Sequence, residues 1–242
     1  MVITYHYIRN AERALSVERF KRQLDYISDY AILTFDDGFK DHYETVFPIL
    51  KERNLKGIFF PCRYEGQEIL NVHKIHLLLW EFGDKIYEDI GHEIKRRTGL
   101  YKYDTDKIAK IKQLLNYELP FEEATEIIDK LFNKLNPPEI YMTQDQIKEM
   151  SDYGMIFGGH TKTHRVLSRL TPEEQHKECD LTLIKQITNQ SDIPFCYPYG
   201  HHHTYTKETI DILKDLGYSR AYTVGKTYNG QFEIPRLDTN EV

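Results

Sequence analysis

Short apolar runs alternate along the chain with segments whose apolar residues recur every three or four positions. Seven runs read as strands: Val2 to Tyr5, Ala31 to Phe35, Gly57 to Pro61, Met155 to Gly158, Ile193 to Tyr197, Ser219 to Val224 and Phe232 to Pro235. Between them, Ser16 to Ser28 places Val17, Phe20, Leu24 and Ile27 on one helical face, with Ser16 as its N-cap. Tyr43 to Arg53 and Thr143 to Tyr153 carry the same period. Thr171-Pro172-Glu173-Glu174 reads as an N-cap, a proline at the first helical position and acids in the first turn. Thr206 to Leu216 is the last long helix, closed by Gly217. Apolar strands alternating with helices predict a parallel sheet closed into an α/β barrel.

One segment, about 64–138, breaks that alternation. It holds four helix-like stretches, Ile69 to Phe82, Asp84 to Thr98, Thr105 to Tyr117 and Phe121 to Leu135, punctuated by Pro120 and Pro137-Pro138. It is too long for a simple connection and reads as a helical insertion after the third strand of a single domain spanning 1–242. It leaves near strand C-terminal ends, where barrels keep their chemistry, so it either covers a cleft or serves stability or assembly. His73 and His76 within it are three apart, which fits an ordinary helix face or a second metal pair.

The candidate chemistry sits at strand ends. Thr34-Phe35-Asp36-Asp37-Gly38 closes an apolar run with two carboxylates and a glycine, and a twist into a turn would bring both acids toward one cleft. Far downstream, Gly158-Gly159-His160-Thr161-Lys162-Thr163-His164 sets two imidazoles four residues apart, a spacing that one helical turn would align. One Asp and two His make a three-ligand set with an open position, the form of a catalytic metal site. Alone, Asp-Asp-Gly is most often a solvated turn, and His-x-x-x-His fits a surface helix as well as a metal pair. The joint placement is what favours chemistry.

These motifs resemble the polysaccharide deacetylases, carbohydrate esterase family four. Thr34 to Gly38, His160 to His164 and the turn Phe195-Cys196-Tyr197-Pro198-Tyr199-Gly200 occur in that family's order, and the resemblance runs from Val2 to Arg236 outside the insertion. It implies a distorted (β/α)7-type barrel. It implies that Asp37, His160 and His164 bind a divalent metal, that Asp36 is the general base, and that the Tyr199 backbone N–H holds the oxyanion. A mixed carboxylate–imidazole set suits zinc first, and nickel, cobalt or ferrous iron as well. The implied reaction is removal of an N-acetyl or related N-acyl group from an amino sugar in a cell-surface polysaccharide or its precursor.

The chain also departs from the family. The positions before the Pro-Tyr-Gly turn carry no Arg, there is no Asp-x-x-Asp-Trp motif, and no Leu-x-His follows Pro235-Arg236-Leu237-Asp238. Arg236 is placed to orient Asp36 in place of the missing Arg. His6, at the end of the first apolar run, is placed to supply the missing acid, or is a buried structural histidine. His201-His202-His203 after Gly200 reads as a solvated loop or a mobile acid. Tyr5, Tyr197 and Tyr199 are candidates for stacking on a sugar ring.

Two other readings stay open: hydrolysis of a non-sugar amide such as a cyclic imide or ureide, and a catalytically silent carbohydrate-binding barrel. Net charge of −6 argues against nucleic acid or an anionic membrane surface as partner. Cys62, Cys179 and Cys196 are an odd set without paired spacing, which suggests a reducing compartment. Met1 to His6 runs straight into a strand with no signal peptide visible, and no apolar run approaches a transmembrane span, so a cytoplasmic location is expected.

Overall fold

In a computed structural model, which describes residues 1–8, 14–27, 30–90, 101 and 103–242, the apolar runs form seven strands of one parallel sheet. They are β1 (Val2–Tyr5), β2 (Ile32–Asp37), β3 (Gly57–Pro61), β4 (Ile156–Phe157), β5 (Phe195–Cys196), β6 (Ala221–Val224) and β7 (Ile234–Asp238). Their order is β4-β3-β2-β1-β7-β6-β5. The sheet curls until its two edge strands meet at a single bridge, Gly159 with Phe195, made by Gly159 N–H to Pro194 O and Cys196 N–H to Gly159 O. This is the expected distorted (β/α)7 barrel, closed at one point.

Closure depends on Gly158 and Gly159. A Cβ on Gly158 would run into the Pro194 carbonyl and the Phe60 ring; one on Gly159 would run into the Tyr218 hydroxyl. The backbones approach too closely there for side chains.

Register assigns each strand position to a face. Tyr5, Phe35, Phe59 and Phe157 are paired neighbours on four adjacent strands. Their rings stack in sequence at 5.3, 4.7 and 5.5 Å between centroids. They belong to the main core, with Phe20, Leu24, Phe47, Leu50, Ile147, Met150 and Leu213 from the covering helices. The opposite face carries a smaller apolar cluster, Ile58, Phe60, Cys196 and Tyr222, and beside it Thr4, Thr34, Asp36 and Arg236. Strand alternation thus sends the aromatic ladder of Tyr5, Phe35, Phe59 and Phe157 outward to the helices, and the polar residues with the smaller Phe60–Tyr222 cluster into the barrel.

The expected helices form with their expected signals. Val17–Tyr26 is capped by Ser16, and Gln144–Asp152 and Pro172–Glu178 begin with capping boxes from Thr143 and Thr171. Lys207–Asp215 follows Thr206. The segment Tyr43 to Arg53 divides into a π-helical turn, His42–Val46, and a short helix, Phe47–Glu52. A helix at Thr182–Thr188 was not anticipated. β7 is shifted from the expected Phe232 to Pro235. Pairing with β1 and β6 on its two sides carries the strand on through Arg236, Leu237 and Asp238.

The chain divides into two compact units, Met1–Gln67 with Glu139–Val242, and Glu68–Pro138. The second is helical among its described residues: Asn71–Phe82, Ile86–Ile90, Asp106–Gln113 and Phe121–Phe132, with π-helical Leu114–Glu118. It has its own core of Ile75, Leu78, Leu79, Ile111, Ile128 and Leu131. Lys74 is held there between Glu68 and Asp129, each at 2.7 Å. The expected helix from Asp84 to Thr98 lies partly outside the described residues. No helix among the described residues is long and apolar enough to cross a membrane.

Candidate active site

The polar residues inside the barrel converge on Asp36. Arg236 Nη1 donates to Asp36 Oδ1 and Nη2 to Oδ2, both at 2.7 Å. Nη1 also donates to Thr34 Oγ1 at 3.0 Å, and Nη2 lies 2.9 Å from Cys196 Sγ. Thr4 Oγ1 donates to Asp36 Oδ2 at 3.2 Å. Both charges are buried, at 2% and 1% exposure, so neither tolerates loss of the other. Burial alone would raise the Asp36 carboxyl. The Arg236 charge and its two hydrogen bonds outweigh burial, with smaller help from His160 and His6, and hold the carboxyl well below the usual carboxylate range. Asp36 is therefore ionised at any working pH.

Asp37 leaves the strand line. Its φ is +76° and that of Gly38 is +79°, which turns the chain sharply and separates the two carboxylates. Gly38 has no substitute: a Cβ there would strike Pro61. The turn is pinned by Met142 N–H to Gly38 O and Lys40 N–H to Ile140 O.

His160 and His164 reach Asp37 from the loop after β4, separated from β2 by β3 alone. Their Nε2 atoms lie 3.6 and 3.7 Å from Asp37 Oδ1, and all three side chains are buried. His160 Nδ1 lies 2.7 Å from the Cys196 carbonyl, which can only accept. The proton therefore sits on Nδ1 and the Nε2 lone pair faces Asp37. Burial is the largest influence on His160 and lowers its pKa, only partly offset by Asp36 and Asp37. It stays neutral, as a metal ligand must.

The two imidazoles are not aligned by a helical turn. Residues 160–164 form an irregular loop in which Thr161 and His164 have φ of +63° and +56°. The single-point closure at Gly159 ends β4 before it, and no ladder continues. Side chains hold the loop instead. Thr161 Oγ1 accepts from His164 N–H at 3.0 Å. Glu178 Oε2 accepts from the N–H groups of Lys162 and Thr163 at 3.0 and 2.8 Å, and Oε1 accepts the Thr163 hydroxyl at 2.6 Å. Of seven non-glycine residues at positive φ among those described, four are Asp37, Thr161, His164 and Tyr199. Strain of this kind gathers where side chains are aimed for function.

Two groups of side chains could hold a cation: Asp37 with His160 and His164, and Asp36 with His160 and Cys196. The Arg236 guanidinium occupies both Asp36 oxygens and touches the Cys196 sulfur, so a cation in the second group would meet a buried positive charge. The first group presents an Asp37 carboxylate oxygen outside the Arg236 clamp and an imidazole Nε2 lone pair on His160 turned toward it, which fits a divalent cation.

Residues 25–221 match the family described as Polysaccharide deacetylase. This chain belongs to the polysaccharide deacetylase family. The Bacillus subtilis (strain 168) protein named "Putative polysaccharide deacetylase YxkH" is 22% identical over 194 residues, which cover 79% of this chain and 43% of that protein. The chain thus spans less than half of that relative's length. Among solved structures, IcaB from Ammonifex degensii superposes with a TM-score of 0.58 at 20% identity, over 98% of this chain and 90% of that one. The Streptococcus pyogenes deacetylase PplD, solved in complex with acetate, gives 0.55 at 20% identity over the same shares. At this identity the likeness is one of fold.

The other residues singled out in this polysaccharide deacetylase sequence divide. His6 is not a buried structural histidine. Its side chain is 46% exposed and its Nε2 lies 3.8 Å from Asp36 Oδ2. The His6 carbonyl is held by His42 Nε2 at 2.8 Å, and Ile8 N–H donates to Asp41 Oδ2 at 3.0 Å, which fixes the chain on both sides of Tyr7. Tyr199 is half-buried and packs edge-on to His164 at 4.7 Å, with φ of +62°. Tyr5 and Tyr197 are wholly buried and do not stack on a ligand: Tyr5 belongs to the outer aromatic ladder, and Tyr197 donates to Phe232 O. In the His201–His203 run, His202 is tied to the Tyr205 hydroxyl at 2.9 Å, close to Glu233. Neither ligand group among the described residues includes His73 or His76.

Two residues of the site, Glu178 and Cys62, carried no recognisable signal for their roles, whereas Cys196 lies within the Phe195 to Gly200 turn already singled out. Glu178 lies on the next helix and belongs to no motif. Cys196 accepts the His160 ring proton through its backbone carbonyl, and Cys62 Sγ lies 3.2 Å from His160 O. Burial pushes both thiols up, so they remain protonated.

Proposed function

We propose that this chain is a metal-dependent N-deacetylase that removes an N-acetyl or related N-acyl group from an amino sugar in a cell-surface polysaccharide or its precursor. The observation that carries this reading is the meeting of Asp37, His160 and His164 beside a separately clamped Asp36. Asp37, His160 and His164 would hold the divalent cation, zinc being the best fit to the donor set. When bound, such a cation polarises an acyl carbonyl and lowers the pKa of water.

Asp36 is the base. It takes a proton from the attacking water, and Arg236 keeps it ionised and aimed. A carboxylate held so low is a weak base, so its contribution lies in position more than in proton affinity. His6, exposed and 3.8 Å from Asp36, gives a proton to the departing amine nitrogen and regains one from Asp36, which restores both groups. The Tyr199 backbone N–H donates to the developing oxyanion.

The test combines metal analysis of the purified protein with acetate release from N-acetylglucosamine oligomers and from nucleotide-linked N-acetyl sugars. The reading expects acetate from at least one of them, abolished by a chelator and restored by a divalent cation. A protein that binds the cation at Asp37 yet releases acetate from neither would overturn it.

A further inference from the structure

We propose that Glu178 is a positioning residue that holds the 160–164 loop in the shape that brings both imidazoles to Asp37. The inference rests on the reading of His160 and His164 as metal ligands. The loop follows a two-residue strand and contains two non-glycine residues at positive φ. Such a conformation is unfavourable for a residue other than glycine and persists only if its surroundings enforce it. Its own backbone does not enforce it, because neither a helix nor a sheet ladder runs through 160–164.

Glu178 supplies the missing restraint. The carboxylate is buried and uses both oxygens, accepting two consecutive backbone N–H groups and one hydroxyl. Charge-assisted bonds of this kind are roughly twice as strong as neutral ones. Glu178 is itself anchored. It ends the helix Pro172–Glu178, and the next residue, Cys179, accepts the Tyr218 hydroxyl at 2.8 Å. That same hydroxyl fills the space in front of Gly159. One tyrosine thus joins the foot of the loop to the helix end that grips its crown. Glu178 touches no ligand atom; it acts through Lys162 and Thr163, which lie between the two histidines.

Cobalt titration of the full chain tests this, read by dissociation constant and by the visible absorption bands that report ligand geometry. Wild type should bind cobalt with a defined spectrum. Glu178→Ala, folded by circular dichroism, should bind about 10–100-fold more weakly with altered bands, the usual cost of losing a residue that orients a ligand. Glu178→Gln should recover most of that loss, since its amide oxygen can accept both N–H groups while its NH₂ donates to Thr163.

A folded Glu178→Ala protein with wild-type affinity and bands would overturn the proposal. So would a Glu178→Gln protein as weak as the alanine variant, which would point to bulk charge instead of hydrogen bonding. If Glu178→Ala does not fold, Thr163→Val carries the test: it removes only the hydroxyl partner and should weaken cobalt several-fold, and unchanged affinity and bands would again overturn the proposal. A wild type that takes no cobalt removes the metal reading itself, a different failure.

Discussion

The two halves of the site are built in opposite ways. The carboxylates stand at the end of β2, a six-residue strand paired on both sides, and the backbone ladder places them. The imidazoles follow β4, two residues long, and contacts from outside any ladder place them: the side chains of Thr161 and Glu178, and the Cys196 backbone carbonyl on the His160 ring. A ladder tolerates loss of any single side chain because its bonds are main-chain. A loop held by a few polar side chains does not. The Asp side should therefore fail chemically when mutated, and the His side should fail geometrically.

The largest effect expected on the Asp side is chemical. Asp36→Asn leaves Arg236 buried without its counter-charge and should cost stability, but it keeps Asp37, His160 and His164, so in the folded protein metal content should hold while turnover falls about 10²–10⁴-fold, measured as initial acetate release per bound metal. Loss of the metal in this variant would mean the two carboxylates have been given the wrong roles.

Next is Arg236→Met, which leaves a buried carboxylate without its partner and should cost about 3–5 kcal/mol in urea unfolding. It should also move acid unfolding. In wild type the Asp36 pKa is depressed below its ordinary 3.8, so its stabilisation is present above that value and is lost only as pH falls toward the depressed one. Without Arg236, burial dominates and raises the carboxyl, so acid unfolding should begin at a higher pH. An unchanged acid midpoint would show that the clamp is not what holds Asp36 ionised.

Gly159→Ala probes the closure. Its methyl would meet the Tyr218 hydroxyl and ring, and we expect about 1–3 kcal/mol of destabilisation. Metal affinity should weaken with it, since the His loop starts there, while the slope of unfolding free energy against pH, to which Asp36 and Arg236 contribute, keeps its wild-type value. The smallest effect belongs to Thr161→Val, which removes one buried hydrogen bond at about 1 kcal/mol. Hydrogen exchange should report it as faster opening at the His164 amide with no change at the amides of β2.

This asymmetry also explains what was legible in the sequence. The strands β1 to β3 were readable almost to the residue, because each is an apolar run bounded by polar turns. Thr34 to Gly38 was readable as a site because its carboxylates interrupt such a run. β4 and β5 were overestimated, because their apolar length describes burial and not pairing; among the described residues the sheet edges are bridged at Gly159 with Phe195 and not along a ladder. The helical alignment expected for His160 and His164 failed because i,i+4 spacing carries no information about a loop at positive φ. Glu178 was invisible for the same reason: its partners are backbone N–H groups, which every residue has. Arg236 was readable as a partner for Asp36, although its place within β7 emerged only from pairing with β1 and β6.

The most direct test of the whole account is anomalous diffraction from crystals of the full chain soaked in zinc. The account predicts one strong peak within bonding distance of Asp37 and of Nε2 of His160 and His164, with both Arg236 nitrogens still on Asp36. A peak between Asp36 and Cys196 with Arg236 displaced, or no peak at Asp37 in fully soaked crystals, would contradict it.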